Sequence, residues 1–183
     1  MKKLGLMVCT NSSIDYLDFD FDVKVIRSMV IMGDKEFVDY EELTAQEFYD
    51  MLDKNPNIVP KTSMPSTGTM LEAYEKLRDQ GCDTILFVTI SSKMSGIYDN
   101  AVMASRMVEG VDVRVFDSKS VGYIESKMVF KAHEGYKAGK SIDEIIKDLE
   151  YIRDNNKIYF AVNDLKFLIK NGRLSNAAGF MAN

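Results

Sequence analysis

Histidine and cysteine are nearly missing from this 183-residue chain: one His and two Cys. The histidine, His133, lies inside a helical pattern, and Cys9 and Cys82 stand alone without CxxC spacing. A soft metal therefore has almost no ligand supply. A Ser-His-Asp triad would have to use His133, where a surface or satisfied core histidine is the simpler reading. The two cysteines read as buried free thiols in a reducing compartment. No Lys/Arg run occurs and the net charge is −5, which excludes a nucleic-acid footprint. No stretch approaches the length of a membrane span. The short apolar run 4–8 after Met1-Lys2-Lys3 has no cleavage pattern of a signal peptide. The expectation is a cytoplasmic protein without stable membrane insertion. GxGxxG and Walker patterns are absent as well, so neither a dinucleotide nor a nucleoside triphosphate is expected through the usual loops. No cofactor is expected.

What is present is apolar bulk and two hydroxyl-rich loops. Hydrophobic residues make up 46% of the chain, enough for a sizeable core. Lys61-Thr62-Ser63-Met64-Pro65-Ser66 and Ser91-Ser92-Lys93-Met94-Ser95-Gly96 each lead into a helical pattern. Hydroxyls and free N–H groups at a helix start suit an oxyanion. The competing reading is that these Ser and Thr residues are plain N-caps.

The remaining pattern alternates strands with helices. Leu4–Cys9 reads as a buried strand ending at the polar turn 10–13; residues 23–32 and 36–40 read as extended, separated by the turn Gly33-Asp34-Lys35. Residues 44–52 read as a helix with a Thr44/Glu47 capping box, and 55–65 as a loop carrying all three prolines. A helix from Ser66 presents Met70, Ala73, Tyr74 and Leu77 and stops at Gly81; 84–90 reads as a central parallel strand. Ser95 is placed as the cap of a helix presenting Ile97, Ala101 and Ala104. Val111, Val113 and Val115 mark a strand, followed by helices around Met128 and, after the Ser141/Glu144 capping box, Ile145 and Leu149. Residues 158–162 read as a last strand. This predicts an α/β fold: a three-layer domain with a mostly parallel sheet and helices on both faces, over residues 1–156. The start of a second α/β domain is expected over 157–183. The loops at 10–13, 91–95 and 117–120 then share the carboxyl edge of the sheet, where such folds bind ligands. Thr62 and Ser95 are expected at that edge of one sheet. Asp117 and Ser118 read either as groups orienting a neighbouring hydroxyl or as a strand-end turn.

The tail reads as a short helix over 164–170, a tight turn Asn171-Gly172-Arg173, and a small-apolar run opened by Ser175. That run ends mid-pattern. Leu165, Phe167, Leu168, Phe180 and Met181 are expected to pack on the first domain or on another chain, so self-association is one outcome.

Together these residues resemble the DegV family. Thr62-Ser63-x-Pro65-Ser66 is similar to its TSxPS motif, and Ser91-Ser92-x-Met94-Ser95-Gly96 to its SSxLSGT loop. Phe116-Asp117-Ser118 resembles a third motif. Asn163-Asp164-Leu165-x-x-Leu168 with Gly172-Arg173-Leu174-Ser175 resembles DLxYLxxGGRIS, and Asp39 also fits. The resemblance implies a bacterial fatty-acid-binding protein of two α/β domains, not itself an enzyme, holding a long-chain acyl group between them. In part of the family the bound acid is presented to a separate fatty acid kinase. Carried over by motif, Thr62, Ser63, Ser95 and Gly96 contact the carboxylate and Arg173 orients it, with Ser92, Asn11, Asp117 and Ser118 in support. Four positions depart from the family pattern: Asn11 for Asp, Ile97 for Thr, Asn171 for Gly, and Arg27 where Pro is frequent. Family members also run on for about a hundred residues more. Two other functions remain open: a phosphate- or sugar-handling α/β enzyme using the same strand-end loops, and a fragment that binds nothing.

Overall fold

A computed structural model describes residues 3–159, 161 and 165–173. The chain divides into two compact units, one of residues 1–26 and 66–158, the other of 27–65 and 159–183.

In the first unit, four strands form a parallel sheet in the order β2-β1-β6-β7: β1 (Leu4–Cys9), β2 (Lys24–Ile26), β6 (Thr84–Thr89) and β7 (Asp112–Asp117). Alternation along β1 and β6 divides the core. Met7, Cys9, Ile85 and Phe87 face α2 (Thr67–Asp79) and α3 (Ile97–Ser105), meeting Met70, Ala73, Tyr74, Ala101 and Ala104. Leu6, Val8, Leu86 and Val88 face α4 (Tyr123–Lys137) and α5 (Ile142–Asp154), meeting Met128, Val129, Ala132, Ile145 and Leu149. A strand covered on both faces needs apolar residues at every position, and every residue of β6 is buried. The buried Tyr74 hydroxyl donates to the Ala101 carbonyl at 3.1 Å, tying α2 to α3. Gly135 lets α4 approach α5; a Cβ there would stand 3.0 Å from Ile145 Cγ1.

The second unit holds a three-stranded antiparallel sheet in the order β4-β3-β5: β3 (Met29–Met32), β4 (Lys35–Val38) and β5 (Lys61–Ser63). With α1 (Ala45–Lys54), it encloses a small core in which Val30, Met32 and Leu43 meet Phe48 and Leu52. The Thr44/Glu47 capping box starts α1. A short helix, α6 (Lys166–Lys170), lies near the end of the described residues.

The architecture departs from the sequence-based expectation in four places. Residues 27–65, expected within a single 1–156 domain, group with 159–183, because the hairpin at Gly33 builds a sheet and core of its own. The loop expected over 55–65 contains β5. Ile158, Tyr159 and Ala161 are not strand, and Phe160 and Val162 lie outside the described residues. Gly96, not Ser95, is the N-cap of α3. Asp164, Ser175, Phe180 and Met181 also lie outside the described residues, so the expectations for the tail beyond Arg173 are not addressed by the structure.

Candidate functional site

β1, β6 and β7 run parallel, so their carboxyl ends deliver three loops to one edge of the first unit's sheet. After β6 comes the hydroxyl-rich loop. Buried Ser91 anchors it: its N–H donates to the Ser120 carbonyl at 2.9 Å, and its carbonyl accepts from Met94 and Ser95. Ser92 is exposed but fixed from below. Its hydroxyl donates to Asp117 Oδ2 at 2.6 Å and its N–H to Oδ1 at 3.1 Å. Asp117 also accepts the Lys119 N–H at 2.9 Å. A carboxylate taking three donors organises the loop from the neighbouring strand end.

Ser95 is half-buried where α3 begins. Its Oγ accepts the Ile97 N–H at 3.3 Å. Accepting leaves the hydroxyl proton to be donated elsewhere. The Gly96 N–H is likewise paired with no described residue. Two donors at the start of a nine-residue helix, whose N-terminus carries partial positive charge, suit an oxyanion. Ser118 differs: its buried hydroxyl donates to the Ser120 carbonyl and accepts the Ser120 N–H, so its bonds close a turn.

The loop after β1 brings the expected supporting residue Asn11 to a residue of α4 that sequence reasoning missed, Glu125. Asn11 Nδ2 donates to Glu125 Oε1 at 2.6 Å. Glu125 is fully buried, and Oε1 also accepts the Gly122 N–H at 3.1 Å where α4 begins. Gly122 can hold this corner because its φ is +71°, a conformation glycine adopts at little cost. Glu125 Oε2 is buried without a hydrogen-bond partner. Burial pushes the carboxyl well above its ordinary value of 4.5; the Gly122 and Asn11 donors oppose this and the Asp117 charge adds to it. Burial, with the Glu125 charge second, also raises the Cys9 thiol. The signal available in the sequence was a Glu three residues after a Gly at a helix start, which reads as an exposed cap.

Thr62 and Ser63 belong to a different sheet. They lie in β5, exposed, paired with Val30 and Met29 of the antiparallel sheet. The expectation that Thr62 and Ser95 share one sheet is therefore corrected, since β5 hydrogen-bonds to β3 instead. Within the second unit Arg173 has a defined place. Its Nη1 donates to the Asn171 carbonyl at 2.7 Å, and Asn171 Nδ2 donates to the Pro60 and Phe167 carbonyls at 3.0 Å each. The Arg173 turn is thus tied to the residue preceding β5. Arg27 supports the same unit, pairing with Glu41 at 3.3 Å and lying over the Tyr40 ring.

Among the described residues no group of three or more His, Cys, Asp and Glu side chains is placed to hold a metal, and no helix is long and apolar enough to cross a membrane. A cleft of about 410 Å³ lies at the opposite, amino edge of the parallel sheet, between Leu4, Thr84, Tyr136, Lys140 and Ile145. It touches none of the hydroxyl loops.

The model of a family described as uncharacterised proteins of the DegV family matches residues 6–183. A DegV domain-containing protein of Clostridium acetobutylicum is 35% identical over 98% of this chain and 63% of its own length. One from Staphylococcus aureus is 36% identical over 98% and 62%. The chain thus spans somewhat less than two thirds of these curated relatives. Among solved structures, DegV of Bacillus subtilis, described as a fatty acid binding protein, has a TM-score of 0.88 at 28% identity, covering 100% of this chain and 65% of its own. A Thermus thermophilus DegV family protein, described for its fatty acid binding, has a TM-score of 0.84 at 26% identity, covering 99% and 64%.

Proposed function

Because the chain belongs to the DegV family, we propose that it binds a long-chain fatty acid and holds the carboxylate with its Ser and Thr loops. The observation that carries this reading is the start of α3, where the Ser95 hydroxyl proton and the Gly96 N–H are both available to an anion. Asp117 keeps the loop in shape through Ser92. Proposed contacts in the other unit are Thr62, Ser63 and Arg173, of which Arg173 would supply the charge-assisted bond. The protein is proposed to act as a carrier. Presentation of the bound acid to an ATP-dependent fatty acid kinase is the use that the family resemblance suggests, and with it a cytoplasmic location. The phosphoryl chemistry would then belong to the partner.

The test compares oleate with oleyl alcohol, the same hydrocarbon chain without a carboxylate, by titration calorimetry on the purified protein. Preference for the acid that collapses in Ser95→Ala supports the reading. Equal affinity for acid and alcohol contradicts it.

A further inference from the structure

Two successive residues of α4 hold two successive residues of the turn after β1. Glu125 accepts from Asn11 Nδ2 at 2.6 Å, and the Ser126 hydroxyl donates to the Ser12 carbonyl at 2.8 Å. Glu125, Ser126 and Ser12 are fully buried, whereas Asn11 is half-buried. The turn is thus latched from beneath, and Asn11 is the member of the pair that reaches toward the surface. Such a latch needs only a hydroxyl or an amide at position 125. A glutamate there is costly, because an ionised carboxylate in a buried site must be matched by a charge or fully hydrogen-bonded.

Neither match is present. Oε2 has no partner. The charged or titratable groups acting around Glu125 are Asp117 at the end of β7 and the Cys9 thiol at the end of β1, neither of them a cation. β6 contributes no titratable side chain. In α5, Arg153 pairs with Glu150 and Asp154. A neutral carboxylic acid is the form these surroundings favour. The same edge carries the loop proposed to hold a fatty-acid carboxylate, and a second negative charge arriving there would favour the neutral form further.

Resting on that reading of the headgroup site, we propose that Glu125 is a positioning residue for the ligand: it holds Asn11 and the turn after β1 in place, and it admits an anionic headgroup at this edge only while its carboxyl carries a proton. Ligand binding and proton retention at Glu125 are therefore linked, and affinity falls as Glu125 ionises. The mechanism differs from the roles of Ser95 and Arg173, since Glu125 itself does not touch the ligand.

The experiment uses the whole chain with oleate as probe. Carbon-13 in the glutamate carboxyls reads Glu125 ionisation directly, with and without oleate, and Glu125→Gln assigns the signal. Oleate affinity of wild type and Glu125→Gln is measured in parallel between about pH 5 and about pH 9, and the ratio of the two removes the ligand's own titration. The expected result is that oleate shifts Glu125 ionisation upward in pH, and that the variant's affinity relative to wild type rises roughly tenfold or more across the range. Bound oleate with an unmoved Glu125 titration, or superimposable pH profiles, overturns the proposal and leaves the fatty-acid reading intact. Absence of oleate binding at every pH overturns both.

Discussion

The Ser92 hydroxyl donates to Asp117 Oδ2 at 2.6 Å, joining the loop after β6 to the end of β7 across 25 residues of chain. Asp117 holds the Ser92 N–H and the Lys119 N–H as well. Asp117→Ala removes all three bonds and Ser92→Ala only one. Each bond to a charged group is worth roughly 1.5–3 kcal/mol when shielded, and less for Ser92 because it is exposed. Asp117→Ala should therefore weaken oleate binding and lower Tm by more than Ser92→Ala does. Equal effects in calorimetry would show that Asp117 does not organise the loop.

Ser95→Ala should separate affinity from stability. A lost hydrogen bond to a carboxylate costs roughly 1.5–3 kcal/mol, about tenfold to a hundredfold in affinity. The lost acceptor for the Ile97 N–H costs about 1 kcal/mol of stability, as for a helix cap. Ligand titration beside thermal melting decides: a drop in Tm with unchanged affinity makes Ser95 only a capping group.

Glu125→Gln should change the pH dependence of stability. The folded carboxyl holds its proton above the ordinary value of 4.5, while the unfolded one releases it. The folded state then binds more protons than the unfolded state, so wild-type stability declines as pH rises above that value, by at most about 1.4 kcal/mol per unit. The glutamine variant lacks this decline. Its advantage over wild type should be small near pH 4.5 and grow toward neutrality, read from chemical denaturation at several pH values. A constant difference would mean that Glu125 ionises alike in both states.

Tyr74→Phe should cost roughly 0.5–1.5 kcal/mol, because it leaves the Ala101 carbonyl without the hydroxyl that binds it inside the core. Urea denaturation with an unchanged slope measures this. The variant's oleate affinity should stay at the wild-type level, since neither residue lies in the loops.

Asn171→Ala should loosen the second unit, since one amide bonds both Pro60 and Phe167. Faster hydrogen exchange in β5 and weaker oleate binding are expected. Unchanged exchange at residues 61–63 would show that this tie is dispensable.

The parallel sheet was legible in the chain because 84–90 is uninterrupted apolar sequence and each flanking helix shows its own face. The capping boxes at Thr44 and Ser141 could be read directly. β5 could not. Its three residues are all exposed, so Lys61-Thr62-Ser63 carries no apolar alternation, and its strand character comes only from pairing with β3. Its membership of a second sheet followed from the same pairing, which local pattern does not encode. Ser95, Ser92 and Asp117 stood out as hydroxyls and an acid at strand ends, whereas Glu125 did not. Its partner is Asn11, which lies 114 residues away in sequence.

Native mass spectrometry of the purified chain after exposure to oleate tests fatty-acid binding most directly. A species heavier by one oleate, lost in Ser95→Ala and not formed with oleyl alcohol, is the expected result. A bare chain under the same conditions, or equal retention of the alcohol, would contradict carboxylate-directed binding.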